Sequence, residues 1–114
     1  MKRLFISAGE VSGDMYAAAL IPFIRKVYPD IQLFALGGKC LADQGVQIIQ
    51  DLTTYSTIGF LEPLRYLWRF LVSFVLLKRS ILNLRPDAIL AVDFQGYNVP
   101  LLKWAKRNGM RTAY

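Results

Sequence analysis

Apolar positions in this chain fall into two kinds of segment that alternate: short unbroken runs, and longer stretches in which they recur every three or four residues. Leu4 to Ala8 is a short run closed by Gly9 and predicts a strand. After the loop Gly9-Glu10-Val11-Ser12-Gly13-Asp14, the stretch Met15 to Val27 carries Leu20, Phe23, Ile24 and Val27 at helical spacing. Tyr28-Pro29-Asp30 ends that helix, because a residue before proline is pushed out of the α region, and Ile31 to Leu36 predicts a second buried strand ending at Gly37-Gly38. A βαβ unit of this kind predicts parallel strands joined by a right-handed crossover.

Further along, Leu41 to Gln44 fits a short helix and Val46 to Ile49 a third strand, followed by the polar stretch Asp51 to Thr57. A long helix is expected from about Phe60 to Leu84. Pro63 is tolerable there only in the first turn, where its missing N–H is not needed, and Pro86 ends the helix. Asp87 to Val92 predicts the fourth strand, Asp93-Phe94-Gln95-Gly96-Tyr97-Asn98 a loop at its carboxyl end, Val99 to Arg107 a helix stopped by Asn108-Gly109, and Met110 the start of a last strand. Strictly alternating β and α segments with short connections predict an α/β fold, a Rossmann-like doubly wound parallel sheet. The chain ends inside that last apolar run, so the expectation is an incomplete domain continued by further sequence.

Composition narrows the chemistry. The chain has 114 residues, enough for one domain with a modest core, and at 54% hydrophobic it is not a disordered chain. The formal charge of +6 favours anionic partners such as nucleotide phosphates or an anionic lipid surface. Nucleic acid is set aside, because the basic residues are scattered and no recognition-helix or aromatic RNA-binding pattern is present. Cys40 is the single cysteine, which excludes an internal disulfide and a cysteine-based metal cluster and fits a cytoplasmic setting. Histidine is absent, which removes the commonest metal ligand and general base, so proton transfer falls to Asp, Glu, Lys or Tyr; neither a metal nor a cofactor is expected. Met1-Lys2-Arg3 is basic, but Glu10 and Asp14 interrupt the apolar sequence that follows, so no signal peptide is expected.

Ligands of open parallel sheets bind outside the carboxyl ends of the strands, which directs attention to three loops. In the first, Gly9 and Gly13 sit where the backbone turns tightly or approaches a ligand. Ser12 and Asp14 read either as caps of the following helix or as ligand contacts. In the second, Gly37-Gly38-Lys39 reads as a simple turn or as a turn that presents a cation. In the third, Asp93 ends a buried strand, where a carboxylate is either an active-site group or an Asp that turns the chain by bonding its own backbone. Asn98 reads as the cap of the next helix or as a ligand contact.

The segment from Phe60 is too interrupted by Glu62, Arg65, Arg69, Lys78 and Arg79 to span a bilayer, which takes about 20 mostly apolar residues. At helical spacing Glu62, Arg65, Arg69, Ser73 and Ser80 fall within an arc of about 80°. The rest of the circumference, including Phe60, Leu61, Leu64, Trp68, Leu71, Phe74 and Val75, is more apolar surface than one packing face needs. Two readings stay open: a helix lying at a membrane interface, or burial against another part of the protein or a second subunit.

Ala8-Gly9-Glu10-Val11-Ser12-Gly13-Asp14 closely resembles the A-G-E-x-S-G-D signature of the lipid-A-disaccharide synthase family. Gly37-Gly38, Ile58-Gly59-Phe60-Leu61-Glu62, Arg85-Pro86-Asp87, Asp93 and Asn98 agree with that family in order and spacing along essentially the whole chain. The resemblance implies the N-terminal, acceptor-side part of a two-domain GT-B glycosyltransferase whose donor-binding C-terminal domain lies outside these residues. It implies inverting transfer of a 2,3-diacylglucosamine unit from its UDP carrier to 2,3-diacylglucosamine 1-phosphate in lipid A biosynthesis of the Gram-negative type. The same resemblance implies Asp93 as the base. Glu10, Ser12, Gly13, Asp14, Gly37, Gly38 and Asn98 are implied at the substrate site, and the helix from Phe60 on the inner face of the cytoplasmic membrane. The 114 residues alone are expected to be inactive. One departure stands out: the family commonly has D-A-P-D-F-N where this chain has Asp93 to Asn98, so the second acidic position is Gly96. A non-catalytic relative and another sugar-nucleotide enzyme of similar architecture are the rival readings, and oligomeric state is left open.

Overall fold

A computed structural model describes residues 2–9, 11–50, 63–92 and 95–113, with 63–70 and 95–97 described by their backbone alone. In chain order the elements are β1 (Arg3–Ser7), α1 (Val11–Val27), β2 (Gln32–Leu36), α2 (Lys39–Asp43), β3 (Gln47–Gln50), α3 (Pro63–Leu84), β4 (Ala88–Ala91), α4 (Gln95–Arg107) and β5 (Arg111–Ala113). The strands form one five-stranded sheet in the order β3-β2-β1-β4-β5. Every pairing is parallel, with Phe5 opposite Phe34 on one side and Ile89 on the other. The α/β expectation holds, and β1 lies at the centre.

Alternation along the strands splits the core in two, since successive side chains point to opposite faces. Phe5, Leu36 and Ile89 meet Leu77 and Ile81 of α3 and Leu101 and Ala105 of α4. Ile6, Ala35 and Leu33 meet Ala17, Ala18 and Ile21 of α1 and Leu41 of α2. Helices α1 and α2 therefore cover one face and α3 and α4 the other, as expected when the winding direction reverses after β3.

Helix ends follow their punctuation. Pro63 is the first residue of α3. Gly45 and Gly109 take φ of 78° and 79° after α2 and α4, a left-handed conformation that costs glycine little. Beside them Val46 N–H donates to Leu41 O and Met110 N–H to Ala105 O, closing the helix ends. At the amino edge of the sheet Arg3 is a brace: its N–H meets Asp87 Oδ2 at 2.8 Å and its guanidinium meets Leu84 O at 2.7 Å, a cation on the carboxyl end of α3.

Two helices start earlier than the sequence pattern suggests. Helix α1 begins at Val11, so Ser12, Gly13 and Asp14 belong to its first turn instead of a preceding loop. Helix α4 begins at Gln95, so Asn98 is its fourth residue and not its cap. The apolar spacing used to locate each helix begins only where the helix meets the core, whereas its first turn holds polar and small residues with other tasks.

The orientation of α3 also corrects a reading of the sequence. Ser73, which shares the arc of Glu62, Arg65 and Arg69, is buried, as are Leu77 and Ile81 one and two turns on. Its hydroxyl hydrogen-bonds the side-chain oxygen of Gln50, and Gln50 Nε2 donates back to Ser73 O at 3.3 Å. A serine with a partner on β3 can face inward at little cost. The outward residues are consequently apolar: Leu71 is 51% and Val75 55% exposed, with Val72, Leu76 and Leu82 exposed as well. No helix among the described residues is long and apolar enough to cross a membrane.

Candidate functional site

Strand order reverses between β1 and β4, and their carboxyl ends, Ser7 and Ala91, define the switch point where ligands of such sheets bind. Backbone bonds hold this edge together: Ala8 N–H donates to Leu36 O, Gly37 N–H to Gln50 O, and Val92 N–H to Ser7 O, all between 2.8 and 3.0 Å. The ends of β1, β2, β3 and β4 are thus a fixed platform. Two buried polar side chains complete it, and each comes from a helix.

The first is Asp14, only 4% exposed. Its Oδ1 accepts from Gly38 N–H at 2.8 Å and Leu41 N–H at 3.2 Å, and its Oδ2 accepts from Cys40 N–H at 2.9 Å. These are N–H groups at the start of α2 that have no partner within their own helix. Gly38, at the cap position of α2, has no side chain to offer, so a carboxylate from α1 caps α2 from across the loop. Asp14 is a cap, but of the neighbouring helix. A Cβ at Gly37 would lie 2.5 Å from Leu41 Cδ1 and 3.4 Å from Asp14 Oδ1, so any larger residue there makes the buried Leu41 side chain shift.

The second is Asn98, fully buried. Its Oδ1 accepts from Ser7 Oγ at 2.5 Å, and its Nδ2 donates to Ser7 O at 3.1 Å and Val92 O at 3.3 Å. It clasps the carboxyl ends of β1 and β4 at the switch point, one residue before Asp93. Ser7 was not singled out in the sequence. The signal was there, a lone hydroxyl in the unbroken run Leu4 to Ala8, which a buried strand keeps only with a partner.

The sequence candidates therefore sort by role. Ser12 is exposed, Gly13 is buried within α1, and Gly37 and Gly38 are buried with their N–H groups bonded to Gln50 O and Asp14. Lys39 is exposed beside them. The two loops are brought together by Asp14, while Asn98 belongs to the β1–β4 seam. Glu10 and Asp93, and on the membrane side Phe60 and Leu61, lie outside the described residues, as do the side chains of Leu64 and Trp68. Leu71 and Val75 are exposed, and Phe74 is half-buried against the core under α3.

Among the described residues no three His, Cys, Asp or Glu cluster as a metal would require. Cys40, at the turn capped by Asp14, has its thiol pushed above the ordinary value, first by burial and then by its hydrogen bond to the Asp14 carboxylate. That makes it a poor nucleophile. Both oxygens of Asp14 are engaged by backbone N–H groups, which makes it a structural carboxylate of this edge.

The family model for lipid-A-disaccharide synthetase matches residues 4–114, which takes in both loops, the Ser7–Asn98 clasp and all five strands. The chain belongs to the lipid-A-disaccharide synthetase family. Among curated relatives of this synthetase family, lipid-A-disaccharide synthase 1 of Legionella pneumophila (strain Lens) is 38% identical over 113 residues, covering 98% of this chain and 29% of the relative. The lipid-A-disaccharide synthase of Persephonella marina is 38% identical over 116 residues, covering the whole chain and 29% of the relative. That of Acidobacterium capsulatum is 36% identical over 112 residues, with 98% and 28% covered. The chain thus spans less than a third of the length of these synthases.

Proposed function

We propose that the protein carrying this chain is an inverting hexosyltransferase that transfers a 2,3-diacylglucosamine unit from UDP to 2,3-diacylglucosamine 1-phosphate. Residues 1–114 form the front of its acceptor-side domain, and the donor contacts come from a C-terminal domain beyond them. The observation that carries the reading is the family match over residues 4–114, with the signature loop at the switch-point edge of the sheet. In the reaction the acceptor hydroxyl loses a proton as it attacks the anomeric carbon, and a positioned carboxylate takes that proton. Asp93 is that base. It follows Val92, whose carbonyl is held by Asn98, so the residue before it is anchored.

Glu10, Ser12 and Gly13 shape the acceptor side of the cleft, and Gly37 and Gly38 bound it. Asp14 and Asn98 contribute by holding that geometry. Helix α3 and the residues leading into it, from Phe60 to Val75, lie against the inner face of the cytoplasmic membrane, from which both acylated substrates are drawn. The exposed Leu71 and Val75 support this contact.

The test is Asp93→Asn in the full-length protein. Loss of general-base assistance lowers kcat by roughly 10²- to 10⁴-fold with KM little changed. Unchanged kcat sinks the base assignment, and a full-length wild type without transferase activity favours the non-catalytic relative.

A further inference from the structure

The charge of this molecule is segregated by layer. Helix α3 carries Arg65, Arg69, Lys78 and Arg79, helix α4 carries Lys103, Lys106 and Arg107, and neither has an Asp or Glu. These two helices alone hold more positive charge than the net +6 of the chain. On the other layer, α1 and α2 mix the signs, with Asp14 and Asp43 beside Arg25, Lys26 and Lys39.

Between α3 and α4 lies an open cleft of about 350 Å³ with aromatic walls, Phe74 and Trp104, and three cations, Lys78, Lys103 and Arg107. Lys78 Nζ sits 4.7 Å from the Phe74 ring centre and 5.8 Å from that of Trp104, so two rings hold the ammonium in place. Lys78 also lies in a row with Leu71, Val75 and Leu82, at spacings of four, three and four residues, and all three of those leucine and valine side chains are exposed. The apolar ridge and the cationic cleft are therefore adjacent strips of one surface.

We propose that the α3–α4 cleft is a headgroup site for anionic phospholipids, with Lys78, Lys103 and Arg107 meeting the lipid phosphate. In this arrangement Leu71, Val75 and Leu82 enter the acyl boundary, and Trp104 lies at headgroup depth, where amphipathic rings settle. A surface that is both greasy and uniformly cationic matches an anionic bilayer better than it matches either a neutral lipid or a soluble anion. The proposal deepens the membrane contact stated above by extending it to α4 and giving it a lipid preference, and it rests on that contact and not on the transferase reading.

The experiment is co-sedimentation of the full-length protein with phosphatidylcholine vesicles, with and without phosphatidylglycerol. Binding to phosphatidylglycerol vesicles is expected to weaken as salt rises. Lys78→Gln combined with Lys103→Gln and Arg107→Gln is expected to lower it roughly 100-fold, about fivefold for each cation withdrawn from an anionic surface. The weaker binding to pure phosphatidylcholine stays as it was, whereas Leu71→Ser with Val75→Ser lowers binding to both vesicles. If the triple variant melts early, the exposed pair Lys103→Gln and Arg107→Gln carries the same test with a loss of roughly 25-fold.

Wild-type affinity in the charge variants overturns the proposal. So does displacement of the protein from vesicles by soluble glycerol phosphate, which marks a free-anion site. A change of sedimentation coefficient in the charge variants also overturns it, because the face is then covered by another protein surface. Transfer assayed on detergent-dispersed substrates separates the two readings. It is expected to be unchanged in the triple variant, and its absence in the wild type defeats the transferase reading without touching the vesicle result.

Discussion

The two helical layers of this sheet treat their polar residues in opposite ways. On the α1–α2 side the decisive polar group, Asp14, is turned inward and spends both oxygens on backbone N–H groups of the next loop. On the α3–α4 side Lys103 and Arg107 stay in solvent beside an open cleft, and the inward polar residues, Ser73 and Asn98, are neutral and bonded to Gln50, Ser7 and Val92. The first layer buries a carboxylate at the strand ends. The second keeps an apolar and cationic surface outward, which costs nothing in folding as long as the inner row Leu77 and Ile81 fills the core. A buried charge and a cation-only helix pair are thus divided between the faces.

The comparison predicts where substitutions hurt. The largest effect belongs to Asp14→Ala, which leaves three N–H groups at the start of α2 without their acceptor. A loss of about 3 kcal/mol is expected, read as a lower midpoint in denaturant unfolding of the full-length protein. Asp14→Asn should be intermediate, since one amide oxygen can serve part of the set while the amide nitrogen opposes the remainder. Wild-type stability in both variants breaks the contrast.

Next comes Asn98→Ala, which unclasps β1 from β4 and leaves the Ser7 hydroxyl and two carbonyls without the amide. About 2 kcal/mol is expected from unfolding midpoints, together with a fall in kcat larger than any change in KM, because the anchor at Val92, next to Asp93 in sequence, loosens. A pure stability loss with intact kcat would confine Asn98 to folding.

A smaller effect concerns the thiol at the capped turn. Because its pKa is raised in the folded state, Cys40 is less ionised than an unperturbed thiol around pH 8 to 9, and its alkylation should lag that of a free thiol and catch up only at higher pH. The same shift means that whatever stability it contributes is present below the unfolded thiol pKa and is lost as pH rises through that value toward the folded one. Alkylation as fast as a model thiol would show that the turn is open in solution.

The smallest stability effect is expected on the other layer. Val75→Ser removes an exposed apolar side chain and should change unfolding free energy by no more than about 0.5 kcal/mol, while still weakening vesicle binding. A loss of several kcal/mol would mean that this face is buried in the full-length protein, and the division between the layers would fail.

Much of the fold was legible without coordinates, for a local reason. The runs Leu4 to Ala8, Ile31 to Leu36 and Asp87 to Val92, and the helix stops at Pro29, Pro86 and Gly109, follow from hydrophobic period and backbone chemistry, which neighbouring residues in sequence settle among themselves. The signature Ala8 to Asp14 likewise carried the family. The partners of polar side chains were not legible, because they are set by contacts between residues far apart in sequence. Asp14 meets residues more than twenty positions away and Asn98 meets Ser7 across 91, distances no local pattern encodes. For that reason the sequence leaves Asp14 and Asn98 open between helix cap and ligand contact and groups Ser73 with the charged arc of α3. The sequence by itself determined the elements, the parallel sense of the strands and the charge of each helix. Only the tertiary structure decided which face of α3 turns inward and which polar groups hold the strand ends, since the lower energy goes to whichever rotation gives each buried polar atom a partner.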